Sequence, residues 1–114
     1  MMRTGLIATS LAFLTPTAVA QDNNQYLAFG VAKESCATWL ASRSSEFVGT
    51  DWIMGFWTGA NFISAATNKG GETGDSTDGN GIVAEIKKLC AARPSDTIVN
   101  TAITVFLRFH LEKK

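Results

Sequence analysis

The stretch "GTDWIMGFWTGANF", Gly49 to Phe62, decides how the chain folds. It carries two of the three tryptophans and two of the seven phenylalanines, with glycines at Gly55 and Gly59. Trp52, Ile53, Phe56, Ala60 and Ile63 recur at three- and four-residue steps, the spacing of one helical face. Trp57 and Phe62 lie beside that face. The spacing predicts a helix to about Ala66, capped by Thr50 or Asp51, because a short side-chain oxygen at a helix start accepts an orphan backbone N–H. A helix with so little polar circumference is buried on several sides.

Gly55 and Gly59 stand four apart and share a face. Glycine inside a helix costs about 1 kcal/mol relative to alanine. Two of them imply that a bulky group comes close. A neighbouring helix, the Trp39 ring or a second chain would each serve.

The rest of the chain supplies what such a helix packs on. Residues 1–20, "MMRTGLIATSLAFLTPTAVA", combine Arg3, a short apolar run and the small residues Ala18 and Ala20. That order is a secretory signal cut after Ala20, and the run is short for a bilayer span. Residues 21–114 are then one domain, in the periplasm, with no membrane insertion after cleavage. Lys and Arg total ten and Asp and Glu ten, so loss of Arg3 leaves a net charge near −1. That is no electrostatic footprint for nucleic acid.

The two cysteines, Cys36 and Cys90, form one disulfide in an exported small domain. Around Cys36 a helix is expected from about Val31 to Ser44, with Val31, Ser35, Cys36, Trp39 and Leu40 on one face. "SRSSEFVGT" is expected to break it. "TNKGGETGDSTDGNG", with five glycines and no hydrophobic side chain, is a surface loop. A third helix follows to Ala92, capped by Asp78 or Asn80, with Ile82, Val83, Ile86, Leu89 and Cys90 inward. Pro94 ends it. A fourth, capped by Ser95 or Asp96, turns Ile98, Val99, Ala102, Ile103, Phe106 and Phe109 or His110 inward. Its β-branched run Thr101–Val105 also suits a strand, but the helical spacing persists too long for one. The expected fold is all-α: a small four-helix domain whose disulfide joins the first and third helices.

Reaction chemistry is sparse. The single histidine, His110, has no nucleophile in a recognisable context. "GDSTDGNGIVAE" invites a calcium loop, but with Gly79 at the sixth position the first is Gly74, and the leading carboxylate is missing. Asp75, Asp78 and Glu85 lack a rigid cleft for glycoside chemistry. No catalytic residue, metal or cofactor is expected, and the chain is read as a non-enzyme.

The segments "SCATWL", "MGFWTGANF", "DGNGIVAEIKKLC" and "ARPSDTIVNTAITVFL" resemble small exported helical proteins of proteobacteria. The outline is similar to the HdeA/HdeB-like periplasmic acid-stress chaperones and to the Rap/Tai group of type VI secretion immunity proteins. The first resemblance implies a family bridge at Cys36 and Cys90, often a homodimer, and acid-triggered opening that exposes apolar surface to unfolding clients. Asp51, Asp78 and Asp96 at helix starts would be the acid-sensitive carboxylates. The second implies docking on one toxin partner. Gly55, Phe56 and Gly59 fit its G-Y-x-x-G pattern. For clients, Trp52, Ile53, Phe56, Trp57 and Phe62 are the expected binding residues; for a single partner, the expected patch is loop 67–81 with Trp57 or Phe62.

Overall fold

The computed structural model describes Gly5 and residues 26–114. The leader, its cut after Ala20 and the first residues of the expected mature chain lie outside the described residues. The described part is helical: a 3-10 turn, Gly30–Lys33, then α1 (Cys36–Trp39), α2 (Arg43–Ala66), α3 (Gly79–Ala92) and α4 (Ile98–Glu112). The all-α, four-helix expectation holds, and Cys36–Cys90 joins α1 to α3 across a Cα–Cα distance of 5.2 Å.

The long first helix predicted over 31–44 is not formed. Glu34 and Ser35 are extended, at φ/ψ of −65°/146° and −69°/155°. Tertiary pairing overrides helical spacing there. Ser35 bridges Thr97 in antiparallel fashion. Ile98 donates its N–H to the Glu34 carbonyl at 2.9 Å, and Cys36 donates to the Asp96 carbonyl at 2.7 Å. The Ser35 side chain then starts a new helix by accepting the Thr38 N–H at 3.1 Å. The bridge closes a span of 54 residues. Its sulfurs lie among buried apolar side chains, so cross-link and core reinforce each other.

The second departure lies at α2. "SRSSEFVGT" is not a break but the beginning of the helix. Ser42 is extended and accepts the Ser45 N–H at 3.1 Å, and Glu46 sits in the first turn, where the dipole favours an anion. Thr50 and Asp51 are therefore interior residues and cap nothing. α2 runs for 24 residues. Trp39 fixes its first turns: the indole N–H donates to the Glu46 carbonyl at 3.0 Å, and its ring lies over Gly49.

Asp78 caps α3 as expected, accepting the Gly81 N–H at 2.9 Å. α4 is capped by Thr97, which accepts the Asn100 N–H at 3.2 Å. Asp96, one residue earlier, accepts from the Thr97 N–H and the Asn100 side chain. The Thr101–Val105 run is helical, and both end residues are fully buried. The Thr101 hydroxyl donates to the carbonyl of Ile98 at 2.9 Å, which lets a polar group sit in the core.

Ion pairs lie on the outside. Lys87 of α3 meets Glu46 of α2. Glu85 accepts from Lys88 at 3.2 Å and from Arg108 of α4 at 2.8 Å. The Lys88 ammonium, then the Arg108 guanidinium, hold its carboxyl below the usual carboxylate range. A depressed folded pKa adds stability above the unfolded value, and that stability is lost as pH falls through the folded one.

Two outcomes follow. Substituting both cysteines, Cys36→Ala with Cys90→Ala, lowers unfolding free energy by about 2–5 kcal/mol, read by denaturant titration, and reductant then has no further effect. Glu85→Gln narrows the gap between stability at neutral pH and stability below the carboxylate range, measured by thermal melts across that window.

Candidate functional site

The five residues expected to bind a partner do not share one surface. Ile53 is 0% and Trp57 4% exposed, and both point into the core between α2 and α4. Trp52 and Phe56 are half-buried, while Phe62 is 69% exposed. The division follows from the helical repeat. Gly49, Ile53 and Trp57 form the inner row, Trp52 and Phe56 flank it against the edge of the core, and Phe62 falls on the opposite side.

Trp57 is held from several directions. Its ring packs edge-on against Phe106 at 4.9 Å and Phe109 at 5.6 Å between centroids. Its indole N–H donates to the Thr73 carbonyl at 2.7 Å. Asn61 bonds the same residue twice, donating to its carbonyl at 3.0 Å and accepting its N–H at 3.1 Å. The Thr73 hydroxyl lies 3.1 Å from His110 Nδ1. The glycine-rich loop is thus fastened to α2 and α4, and Thr73 and Gly74 are buried. Its composition predicts a surface loop, because the ties come from Trp57, Asn61 and His110, all distant in sequence.

The glycines redistribute the packing argument. An added Cβ at Gly55 or Gly59 would meet nothing within 4 Å. Among the described residues, neither a neighbouring helix nor Trp39 fills the groove. Close approach occurs instead at Gly49, where a Cβ would stand 2.5 Å from Trp39 Nε1. It occurs again at Gly74, where φ is +96° and a Cβ would stand 2.9 Å from Trp57 Nε1.

Around Gly55 and Gly59 the outer face of α2 is apolar and open. Val48 is 53%, Phe62 69% and Ile63 59% exposed. Phe47, at 69%, borders it. The Trp52 ring stacks on Phe56 at 5.3 Å, and Phe56 leans edge-on against Phe106 at 6.1 Å. The outer aromatic is therefore braced from behind by the core. No charged residue occurs between Asp51 and Lys69. Phe47, Val48 and Ile63 belong to this face and are absent from the sequence-based set. Reading 42–50 as a break hides the first two; Ser42 followed by Glu46 is the helix-start signal that finds them.

Nothing comparable exists for catalysis among the described residues. His110 stacks on Phe106 and faces the buried Thr73 hydroxyl, with no carboxylate orienting its other nitrogen. The hollow beside it mixes Lys69, Lys113 and Lys114 with Glu72 and Asp75, so no single charge sign prevails. No group of three or more His, Cys, Asp or Glu among them could hold a metal ion. No helix among them is long and apolar enough to cross a membrane.

Fold and surface together define a disulfide-linked helical domain in which the described residues leave an apolar helix face open. Compared with family models, curated proteins and solved structures, the chain matches none.

The glycine contrast is measurable. Gly49→Ala destabilises by about 1–3 kcal/mol through overpacking against Trp39. Gly55→Ala and Gly59→Ala each stabilise the isolated fold by roughly 0.5–1 kcal/mol, because only helix propensity changes. Urea titration of the three variants below any self-association checks the opposite signs.

Proposed function

We propose that this is an exported, non-enzymatic protein that acts by docking polypeptide on the outer face of α2, in the manner of a periplasmic protective chaperone. One observation carries the reading: Val48, Trp52, Phe62 and Ile63 form an apolar face in the folded chain that no other described element covers. The disulfide supports an oxidising compartment, where such bonds persist. The chaperone resemblance supplies the substrate class, unfolding chains with exposed apolar segments.

Acid opening would add to this surface. Asp78 and Asp96 accept backbone N–H groups at the starts of α3 and α4, and these bonds help hold both starts in place. Asp51 has no such part, since it lies inside α2. Opening would release Ile53 and Trp57 to clients, while the bridge keeps α1 near α3.

A second reading, a specific immunity-type partner, is favoured by the same face being formed without any opening. It requires one tight partner at neutral pH in place of many clients.

The test follows near-ultraviolet dichroism, binding of an apolar dye and suppression of aggregation of a reduced, unfolded client between about pH 2 and 7. Expected are dye binding at neutral pH that Phe62→Ser with Ile63→Ser reduces, then a rise in dye and client binding as tertiary dichroism is lost in acid. Failure to bind the unfolded client anywhere in that range overturns the chaperone reading. Capture of a single stoichiometric protein at neutral pH, lost in the same double variant, establishes the immunity-type reading.

A further inference from the structure

Along the outer face of α2, Val48, Trp52, Gly55, Gly59, Phe62 and Ala66 follow one another in alternating steps of four and three. This is the period of a helix–helix seam. Five of the six are exposed and Trp52 is half-buried. The order is also palindromic: 48 with 66, 52 with 62, and 55 with 59 lie symmetrically about the level of Trp57. A second α2 laid antiparallel across the first would set Gly55 against Gly59, Trp52 against Phe62 and Val48 against Ala66.

We propose that the occupant of this face is a second copy of the chain, joined through α2 by a two-fold axis at the level of Trp57. The inference rests on the docking role of the same face. An isologous contact needs a patch complementary to itself, with residue i meeting j and j meeting i. Any run spaced four, three, four, three, four has symmetric positions; what suits a two-fold contact here is their filling, with glycines at the centre and a large ring on each side. The empty space over both glycines lets two backbones approach, and each ring fills the space beside the other copy's notch. No like charges meet, because by the same symmetry Asp51 falls opposite Ile63 of the other copy, and residues 52–66 carry no charge.

The surface sets the strength. Exposed parts of Val48, Trp52, Phe62 and Ile63 offer on the order of 500 Å² per copy, by the ~150–250 Å² that an aromatic side chain buries. A typical stable interface buries about 800 Å² per partner. The contact is therefore smaller than a typical stable interface, and the dimer is reversible.

The experiment uses the protein as recovered from cells expressing the full chain. Sedimentation from low micromolar to millimolar concentration reads the association. Gly59→Glu raises the dissociation constant at least tenfold while helicity and melting temperature of the dilute chain do not fall below parent values, since the glycine's surroundings in one copy are empty and glutamate is the better helix former. Spin labels on Arg43→Cys and on Thr58→Cys read the direction, with the native bridge verified in both. In the antiparallel dimer the Thr58 backbones lie within about 10 Å across the helix pair. The Arg43 positions are then ~42 Å apart along the axis at the helical rise.

A monomer at all concentrations overturns the proposal, as does a dimer indifferent to Gly59→Glu or one with both label pairs close. So does a monomer whose α2 face is protected by the chain's own residues 6–25. If the chain stays monomeric yet still takes up unfolded client through Phe62 and Ile63, self-association fails and the docking role stands.

Discussion

The pairing of Ser35 with Thr97, locked by the Cys36–Cys90 bridge, is the constraint on which the rest of the fold depends. It draws an extended segment across the junction between α3 and α4 and places Trp39 beside α2. Trp39 then occupies the notch at Gly49 and bonds the Glu46 carbonyl, which fixes the rotation of α2 about its own axis. Once that rotation is set, Ile53 and Trp57 must face Phe106 and Phe109, and Phe62 and Ile63 must face outward. The open face is thus a consequence of how one tryptophan and one disulfide orient a helix with more apolar surface than a single core can cover.

That surplus has a physical meaning. Burying apolar surface contributes about 25 cal/mol per Å², so a helix carrying rings on both sides gains from a second contact. Exposed aromatic and branched side chains scattered singly are ordinary. Here they are contiguous and uncharged, and the Trp52 ring among them is braced through Phe56 onto the core. That ring has little side-chain entropy left to lose on docking.

Helix class, the inner rows of α3 and α4 and the bridge were legible in the sequence because they rest on local spacing and on a cysteine count that allows one pairing. Where the reading failed, non-local bonds decided. Val31–Ser44 has helical spacing, but Glu34 and Ser35 gain more from the Asp96–Ile98 backbone than from continuing a helix. "SRSSEFVGT" resembles a linker because serines favour turns, yet Ser42 uses the same hydrogen-bonding capacity to cap. At the site, spacing alone placed five apolar residues on α2 but could not assign inner and outer faces to a helix apolar nearly all round. Gly55 and Gly59 were recognisable as notches, while the residue that fills a notch within the chain, Trp39, turned out to serve Gly49.

The division of α2 into a core face and an open face is tested most directly by hydroxyl-radical labelling of the dilute protein, read residue by residue by mass spectrometry. The account predicts strong modification of Phe47 and Phe62, intermediate modification of Trp52, and protection of Trp57 until the fold is lost. Equal modification of Trp57 and Phe62, or protection of Phe62 in the dilute chain, would contradict it.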